Sequence, residues 1–392
     1  MTRLPPDTVA RTRAAALDVL LHNRRGPFHA LPRTAAWGYP EPYTRDLMIA
    51  GLGVLATAEP QLMMSLRRVL ETLACNQTAH GHIPSLAHDR GDRGASDSTP
   101  LFLVVLGLYR RVTGEPDFLA GVAERALAWM HCQSPSDRIL VAQMPTSDWR
   151  DEQWVLGFGL YVNVLVYVFL RLFGQGERAA ELKALMDHFT IRAEDVHRHV
   201  HEGLVLKAKP YYAMWSYKSY SSERFDLLGN SLAILAGLAS RTRARAIVAW
   251  VEGESAAMRD RGELATELPP NFFPFIRPGD PDWRPRYERF NRPGEYHNGG
   301  IWPFVCGFYV VAALAAGRPR IAARRFDALT ALVAQGRNDE LAFGFNEWHR
   351  AADGRPAGQD WQTWSAAMYL YAAACMEHGR VLFFDDLDPA AG

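Results

Sequence analysis

Carboxylates, Arg, His, Asn and aromatic residues recur together in six stretches of this 392-residue chain. The first stretch ends Tyr43-Thr44-Arg45-Asp46, the second holds His80-Gly81-His82 and closes at Asp97-Ser98-Thr99-Pro100, and the third contains Ser147-Asp148-Trp149-Arg150-Asp151-Glu152. The fourth runs Pro210-Tyr211-Tyr212-Ala213-Met214-Trp215-Ser216-Tyr217-Lys218-Ser219-Tyr220, the fifth closes Tyr296-His297-Asn298-Gly299-Gly300-Ile301-Trp302-Pro303, and the sixth holds Asn346-Glu347-Trp348. This mixture suits a carbohydrate. Sugar hydroxyls are met by planar groups that donate and accept together, and the CH-rich ring faces stack on Trp and Tyr. Cleaving a glycosidic bond then needs two carboxyl groups, one protonated to assist the leaving oxygen and one ionised to activate water or attack. No serine elbow, phosphate loop or metal motif competes with that chemistry. His80-x-His82 has strand-like ligand spacing but no third partner, so neither a metal nor a cofactor is expected.

The elements that must position these residues are read from period. Leu101, Val104, Val105, Leu108 and Val112 recur at three- and four-residue spacing, as do Val162, Leu165, Val166, Phe169 and Leu172, and again Leu227, Leu228, Leu232, Leu235 and Leu238. About twelve such helical stretches alternate short and long gaps. Of the short gaps, near residues 58–60, 113–116, 174–177, 240–242 and 317–319, three carry Gly suited to a helix end and three end in Pro suited to a helix start. The long gaps lie near 24–43, 77–97, 133–155, 191–223, 253–298 and 338–360, and loops of that length in a compact domain are usually functional. Helices running up and down would put all six long loops on one face. Only His199 to Lys207 reads as a β-hairpin, with Glu202-Gly203 at its turn. The fold class is therefore all-α with one small hairpin.

No Gly/Ser or Pro linker and no shift in composition divides the chain, so residues 1–392 are expected to form a single domain. With 48% hydrophobic residues and 11 Trp, core material is ample. The 43 basic residues balance 43 acidic ones, which gives no global field to attract nucleic acid or an anionic membrane. No apolar run reaches membrane-spanning length and the amino terminus has no signal-like pattern, so a soluble cytoplasmic protein is expected, with homo-oligomerisation open. Cys75, Cys132, Cys306 and Cys375 fall in separate helical stretches without ligand or redox spacing and read as buried thiols.

Tyr-His-Asn-Gly-Gly-Ile-Trp-Pro at 296–303, followed by a helix and Ala316-Gly317-Arg318-Pro319, closely resembles the alkaline/neutral invertases. Arg224-Phe225-Asp226-Leu227-Leu228-Gly229-Asn230 and Gln362-Thr363-Trp364-Ser365 resemble them too. Asp97-Ser98-Thr99-Pro100-Leu101-Phe102 and Trp149-Arg150-Asp151 are similar to motifs of bacterial glycogen-debranching amylo-α-1,6-glucosidases. Tyr43-Thr44-Arg45-Asp46 is similar to the Arg-Asp pair with which glucoamylases hold the terminal sugar. The resemblance implies an (α/α)6 barrel and an inverting glycoside hydrolase that removes a terminal glucosyl unit from a small α-glucoside or short oligosaccharide. It further implies Glu347 as general base and Asp151 as general acid, with Asp148 the alternative acid, and Trp149 and Trp154 as apolar surroundings that raise the acid's pKa. On the same grounds Arg45 and Asp46 grip the non-reducing sugar, and Tyr43, His82, Asp97, Trp149, Tyr296, His297, Asn298, Trp302, Gln359 and Trp364 line the site.

Plainer roles compete for several of these residues. Asp97 could be a helix N-cap, Arg45-Asp46 an internal ion pair, Trp302, Trp361 and Trp364 core, Asn298-Gly299-Gly300 turn chemistry, Glu347 a surface carboxylate, and His80 and His82 loop structure. The invertase pattern of Ile-Asp followed by two Arg and Met-Gly around the acid is absent, which leaves sucrose an alternative substrate. A sugar 2-epimerase of the N-acylglucosamine type, using His82, His297 or His349 as acid and base, and a non-catalytic saccharide-binding barrel are the readings from other classes.

Overall fold

In the computed structural model, which describes residues 6–92, 94–134, 139–190, 203–218, 220–337, 340–385 and 387, the periodic stretches are helices. They are α1 (Pro6–Asn23), α2 (Thr44–Thr57), α3 (Pro60–Asn76), α4 (Ser98–Thr113), α5 (Ala120–His131), α6 (Leu160–Leu172) and α7 (Gly176–Met186). Then follow α8 (Leu227–Leu235), α9 (Arg241–Asp260), the single turn α10 (Tyr287–Phe290), α11 (Pro303–Ala315), α12 (Pro319–Val333) and α13 (Thr363–His378).

Six of these helices are apolar on every side. In α6 every residue from Leu160 to Leu170 is buried, and the same holds for Pro303 to Ala313 of α11 and Thr363 to Cys375 of α13. A helix buried all round must have neighbours all round. The inner helices α2, α4, α6, α8, α11 and α13 touch one another in that order, and α13 returns to α2, so they close a ring. The remaining long helices carry one apolar stripe, such as Leu62, Leu66, Val69, Leu70 and Leu73 of α3, and present their other faces to water. Each of α3, α5, α7 and α12 packs on the inner helix that precedes it, and α1 packs on α13. This is an (α/α)6 barrel. The ring closes tightly at Gly53, where a Cβ would lie 2.1 Å from the Ala367 carbonyl oxygen of α13.

The short turns join inner to outer helices and the long loops join outer to next inner. Every long loop therefore delivers its residues to the amino-terminal ends of the inner helices. Pro60 and Pro319 open their helices as expected, whereas Pro116 does not: the chain passes through Leu119 at φ 58° and α5 starts at Ala120. Gly114 ends α4 at φ 72°.

Short strands stitch the loops together. They are β1 (Phe158–Gly159), β2 (Trp215–Tyr217), β3 (Tyr220–Ser222), β4 (Phe225–Asp226), β5 (Phe272–Phe273), β6 (Trp348–His349) and β7 (Pro356–Ala357). They pair antiparallel as β1-β2-β3, β4-β5 and β6-β7. The hairpin expected at 199–207 lies partly outside the described residues, at 199–202. Within its remainder Val205 makes single bridges to Phe189 and Tyr212, and a hairpin among the described residues is β2–β3, where aromatic residues alternate. Cys306 and Cys375 are buried as expected, but Cys75 and Cys132 are exposed, because each falls on the solvent side of an outer helix end. Among the described residues no helix is long and apolar enough to cross a membrane.

Candidate active site

Arg45 sits in the first turn of α2 and reaches across to the start of α4, where its Nε donates to Asp97 Oδ2 at 2.7 Å while a terminal nitrogen donates to the Asp148 carbonyl at 3.1 Å. Asp97 is fully buried and caps nothing with its side chain, so its role is this ion pair, to which the Tyr161 hydroxyl of α6 adds a 3.4 Å contact. Burial opposes the charge of Arg45, but Asp97, Asp151 and Asp46 outweigh it and hold the guanidinium ionised. The adjoining Asp46 is buried without a cation of its own; desolvation, aided by Glu347, Asp151 and Asp97, pushes its pKa up to about 8 despite Arg45. Asp46 is therefore a protonated carboxyl at neutral pH, able to donate as well as accept.

The third loop supplies two carboxylates with opposite surroundings. Asp148 is buried and accepts the Arg150 backbone N–H at 2.8 Å, the Arg150 guanidinium at 3.0 Å and the Gln143 amide at 3.0 Å. Burial would raise its pKa, but Arg150 and Gln143 prevail and lower it. Arg150, itself 1% exposed, also meets Asp226 at the start of α8 at 3.0 Å, so one buried cation joins the third and fourth loops. Asp151, next along the chain, is 57% exposed. The cleft walls desolvate it enough to raise its pKa, and Arg45 only partly offsets this.

Glu347 faces this group from the sixth loop. Its backbone N–H donates to the Gln359 carbonyl at 2.9 Å, and its Oε2 accepts the Gln359 N–H at 3.1 Å. Burial, reinforced by the charge of Asp151, still lifts its pKa to about 7 against the pull of Gln359 and Gln362. Glu347 thus senses Asp151 across the barrel mouth, and Asp46 and Tyr296 sense both carboxylates. Tyr296 at φ 45°, Phe345 at φ 40° and Trp361 at φ 53° are bulky residues in the left-handed region, two of them flanking the fifth- and sixth-loop site residues. Strain of this kind clusters at functional sites.

Several expected ligand residues are instead the floor of the site. Trp302 and Trp149 are buried, Trp302 donating its indole N–H to the Tyr296 carbonyl at 2.9 Å, and both pack edge-on against Phe304. Trp364 is buried on Phe304 with ring centroids 4.1 Å apart, so all three tryptophans are core beneath the pocket. Asn298 is a correction with a clear cause. Its Oδ1 accepts Ile276 N–H at 2.7 Å and its Nδ2 donates to the Ile276 and Asn291 carbonyls, so loop backbone saturates the amide. Gly299 follows at φ 104° with a Cβ position 2.1 Å from Phe275, so the Asn-Gly-Gly run builds the turn. Asn298→Ala is accordingly expected to lower stability by about 1–3 kcal/mol, because it strands buried partners; unchanged chemical denaturation with a raised KM would contradict this.

His297 lies sandwiched between Tyr296 and Trp302, with centroids 4.0 and 5.3 Å away, and its Nδ1 is 4.0 Å from Asp151. Burial, then Arg150, holds its pKa well below the usual range, so the imidazole is neutral. His82 does not join this group: its ring packs 5.0 Å from Trp129 of α5, in a separate small pocket with Ser96 and Gln133. Trp154 also turns away from Asp151, to lie under the Arg284 guanidinium. Tyr43 packs on Tyr39 at 5.3 Å. Gln359 borders Glu347, next to Gly38, where any side chain would strike its amide. Tyr39, Tyr161, Gln362 and the exposed Trp37, which lies 5.1 Å from Trp361, join the surroundings of the site without having been expected there. Gln362 opens the Gln362-Thr363-Trp364-Ser365 motif, whereas the others occupy no motif, and for Trp37 and Tyr39 only the Gly38-Tyr39-Pro40 turn within the first long loop gives a hint. Among the described residues no group of three or more His, Cys, Asp or Glu is placed to hold a metal ion.

The family profile described as alkaline and neutral invertase matches residues 176–379, just over half of the chain. The chain belongs to the alkaline and neutral invertase family. Relatives in that family include probable alkaline/neutral invertase D of Arabidopsis thaliana, 32% identical over 164 residues, and cytosolic invertase 1 of Oryza sativa subsp. japonica, 33% identical over 164 residues. Each of these alignments takes in 39% of this chain, and they span 27% and 26% of the two relatives, so the chain matches only about a quarter of their length. The invertase match contains Tyr296, His297 and Glu347 but stops short of Arg45, Asp97 and Asp151. The fold has solved counterparts. A GH63 mannosylglycerate hydrolase from Thermus thermophilus in complex with Tris and D-glycerate superposes with a TM-score of 0.61 at 16% identity, covering 92% of this chain and 99% of that one. A bacterial glucoamylase complexed with acarbose superposes at 0.67 with 14% identity, covering 96% and 56%. Both superpositions bear out the barrel.

Proposed function

We propose that this chain is a glycoside hydrolase that cleaves the terminal sugar from a small α-glucoside with inversion, using Asp151 as general acid and Glu347 as general base. The observation that carries the reading is the pair itself: two carboxyl groups with raised pKa, delivered from the third and sixth loops to one mouth, where the charge of Asp151 helps to raise Glu347. In the proposed step Asp151 gives its proton to the glycosidic oxygen as that oxygen leaves the anomeric carbon. Glu347 takes a proton from the water that attacks the opposite face, and the product is the inverted hemiacetal. Protonated Asp46, with Arg45 held by Asp97, would grip the hydroxyls of the sugar being released. Asp148, ionised and locked to Arg150, is unsuited to proton donation and is assigned a positioning role.

Membership in the invertase family favours sucrose as the substrate among small α-glucosides, while the name of the mannosylglycerate hydrolase neighbour suggests a glycosylglycerate. A cytosolic site of action is proposed alongside, on the strength of the relative named cytosolic invertase 1. The epimerase alternative lacks support: His297 is held neutral, and burial lowers the pKa of His349 to about 4 while its Nδ1 faces the Gly354 carbonyl. Proton NMR of the purified protein with sucrose, trehalose, maltose, isomaltose, kojibiose and glucosylglycerate tests the reading. Release of β-glucose as the first anomer from one of them is the expected result, and α-glucose first, or isomerisation without cleavage, would sink it.

The pH profile follows from the same groups. Activity requires Glu347 ionised while Asp151 keeps its proton, so one limb of kcat/KM should be centred near pH 7, where Glu347 titrates. An ascending limb centred near pH 4.5, the ordinary value for Glu, would show that the base is not the buried Glu347.

A further inference from the structure

We propose that a second saccharide-binding site, separate from the carboxylates at the barrel mouth, lies in the cleft between the β2–β3 hairpin and the 273–287 segment, and takes a neutral oligosaccharide. The cleft measures about 900 Å³, at the upper end of the range for small-ligand sites and roomy enough for more than one sugar ring. None of Arg45, Asp46, Asp97, Asp151 or Glu347 lines it.

The hairpin gives the cleft its wall. Alternate residues of a strand share a face, and Tyr217 stands opposite Tyr220 while Trp215 stands opposite Ser222, so these four project together into the cleft and Ser216 is buried behind them. Tyr220 is 70% exposed, Tyr217 40% and, on the facing side, Trp154 43%. A protein that buries Trp149, Trp302 and Trp364 leaves these three rings exposed to a large extent around one cavity. At its base lies Tyr287, buried, with a hydroxyl that makes no hydrogen bond of normal geometry.

Charge selects the ligand class. The lining carries three cations, Lys209, Arg224 and Arg284, and three acids, Glu223, Glu254 and Asp282. Arg224 is neutralised by Asp282 at 2.8 Å, and Glu254 by Arg261 at 3.2 Å. Nucleic acid or a phosphorylated ligand would meet as many acids as bases, and a purely apolar ligand would desolvate six charged groups without return. A saccharide offers uncharged hydroxyls to those groups and CH faces to the rings. The aromatic face and the balanced polar rim therefore agree on it.

The site is tested by isothermal titration of Glu347→Gln with maltoheptaose and with cellohexaose, since this variant should bind without turnover and its barrel-mouth site is the same throughout. The expected result is saturable binding of one of the two, weakened at least tenfold by adding Tyr217→Ala and Tyr220→Ala and restored by Tyr217→Phe with Tyr220→Phe. In the otherwise native chain, the two alanine changes should leave kcat/KM for the small glycoside within twofold. No binding of either oligosaccharide, or binding that the alanine changes leave intact, overturns the second site. Neither result bears on hydrolysis, which is read separately.

Discussion

Glu347→Gln is expected to lower kcat about 10²–10⁴-fold and, at the same time, to make the protein more stable at neutral and alkaline pH. The loss is that of the proposed general base. The gain comes from linkage: burial raises the folded-state pKa of Glu347 to about 7 from 4.5, so between those values the native state holds a proton that the unfolded chain has released. Its contribution is therefore nil below about pH 4.5, where both states are protonated, becomes more unfavourable as pH rises from 4.5 to 7, and carries its full cost above. A neutral amide removes that cost, on the order of 3 kcal/mol at most, from the alkaline side. Thermal unfolding at pH 5 and pH 8.5 should show the variant gaining mainly at the higher pH. Asp151→Asn should lose activity to a similar extent on an ordinary glycoside, yet hydrolyse α-glucosyl fluoride at close to the native rate, because fluoride leaves without protonic help. Glu347→Gln should fail on both substrates. Equal rescue of the two variants by the fluoride would reverse or cancel the assignment of acid and base.

Arg150→Met should be the most destabilising single change in the site, by about 3–5 kcal/mol at pH 7.5 in denaturant unfolding. Arg150 is 1% exposed and lies between Asp148 and Asp226, which are equally buried, so its removal leaves two carboxylates in the interior with no cation. Burial then drives both to take up protons. Their folded pKa values rise above the unfolded ones, and the deficit should shrink as pH falls toward 4.5. A uniform deficit across pH, or one below 1 kcal/mol, would mean that the triad is not holding its two loops together. Activity should fall too, since Asp151 follows Arg150 directly in the chain and takes its place from it.

These two results probe different layers of one design, and the layers differ in how visible they were beforehand. The paired helices were legible because short and long gaps alternate between periodic apolar stretches, and the invertase-like motifs implied the barrel; that the inner helices are buried on every side and the outer ones along one stripe emerged only in the structure. The boundaries of the long loops at 24–43 and 77–97 coincide with the ends of α1 to α4. The aromatic hairpin at 215–222 was not read from the sequence, since a short alternating run at 199–207 and an aromatic run at 215–222 are equally good strands until neighbours choose between them.

For the site, the residue types and the loops that carry them were readable from order and spacing alone, including Arg45 with Asp46, the Asp148–Asp151 pair and Glu347. What each residue does was decided by burial and by partners distant in sequence. Asp148 and Asp151 differ because Arg150 and Gln143 enclose one and leave the other open to the cleft. Asn298, His82 and the three buried tryptophans carry the same chemistry on paper as a true ligand, but backbone amides, α5 and Phe304 claim them first. Sequence by itself determined paired helices whose long loops carry acids, arginines and aromatic rings, because periodicity and loop length are local properties, and the barrel was what the family resemblance implied. Only the tertiary structure decided which of those groups are charged, satisfied or free, because desolvation and pairing depend on the neighbours that six separate loops bring together.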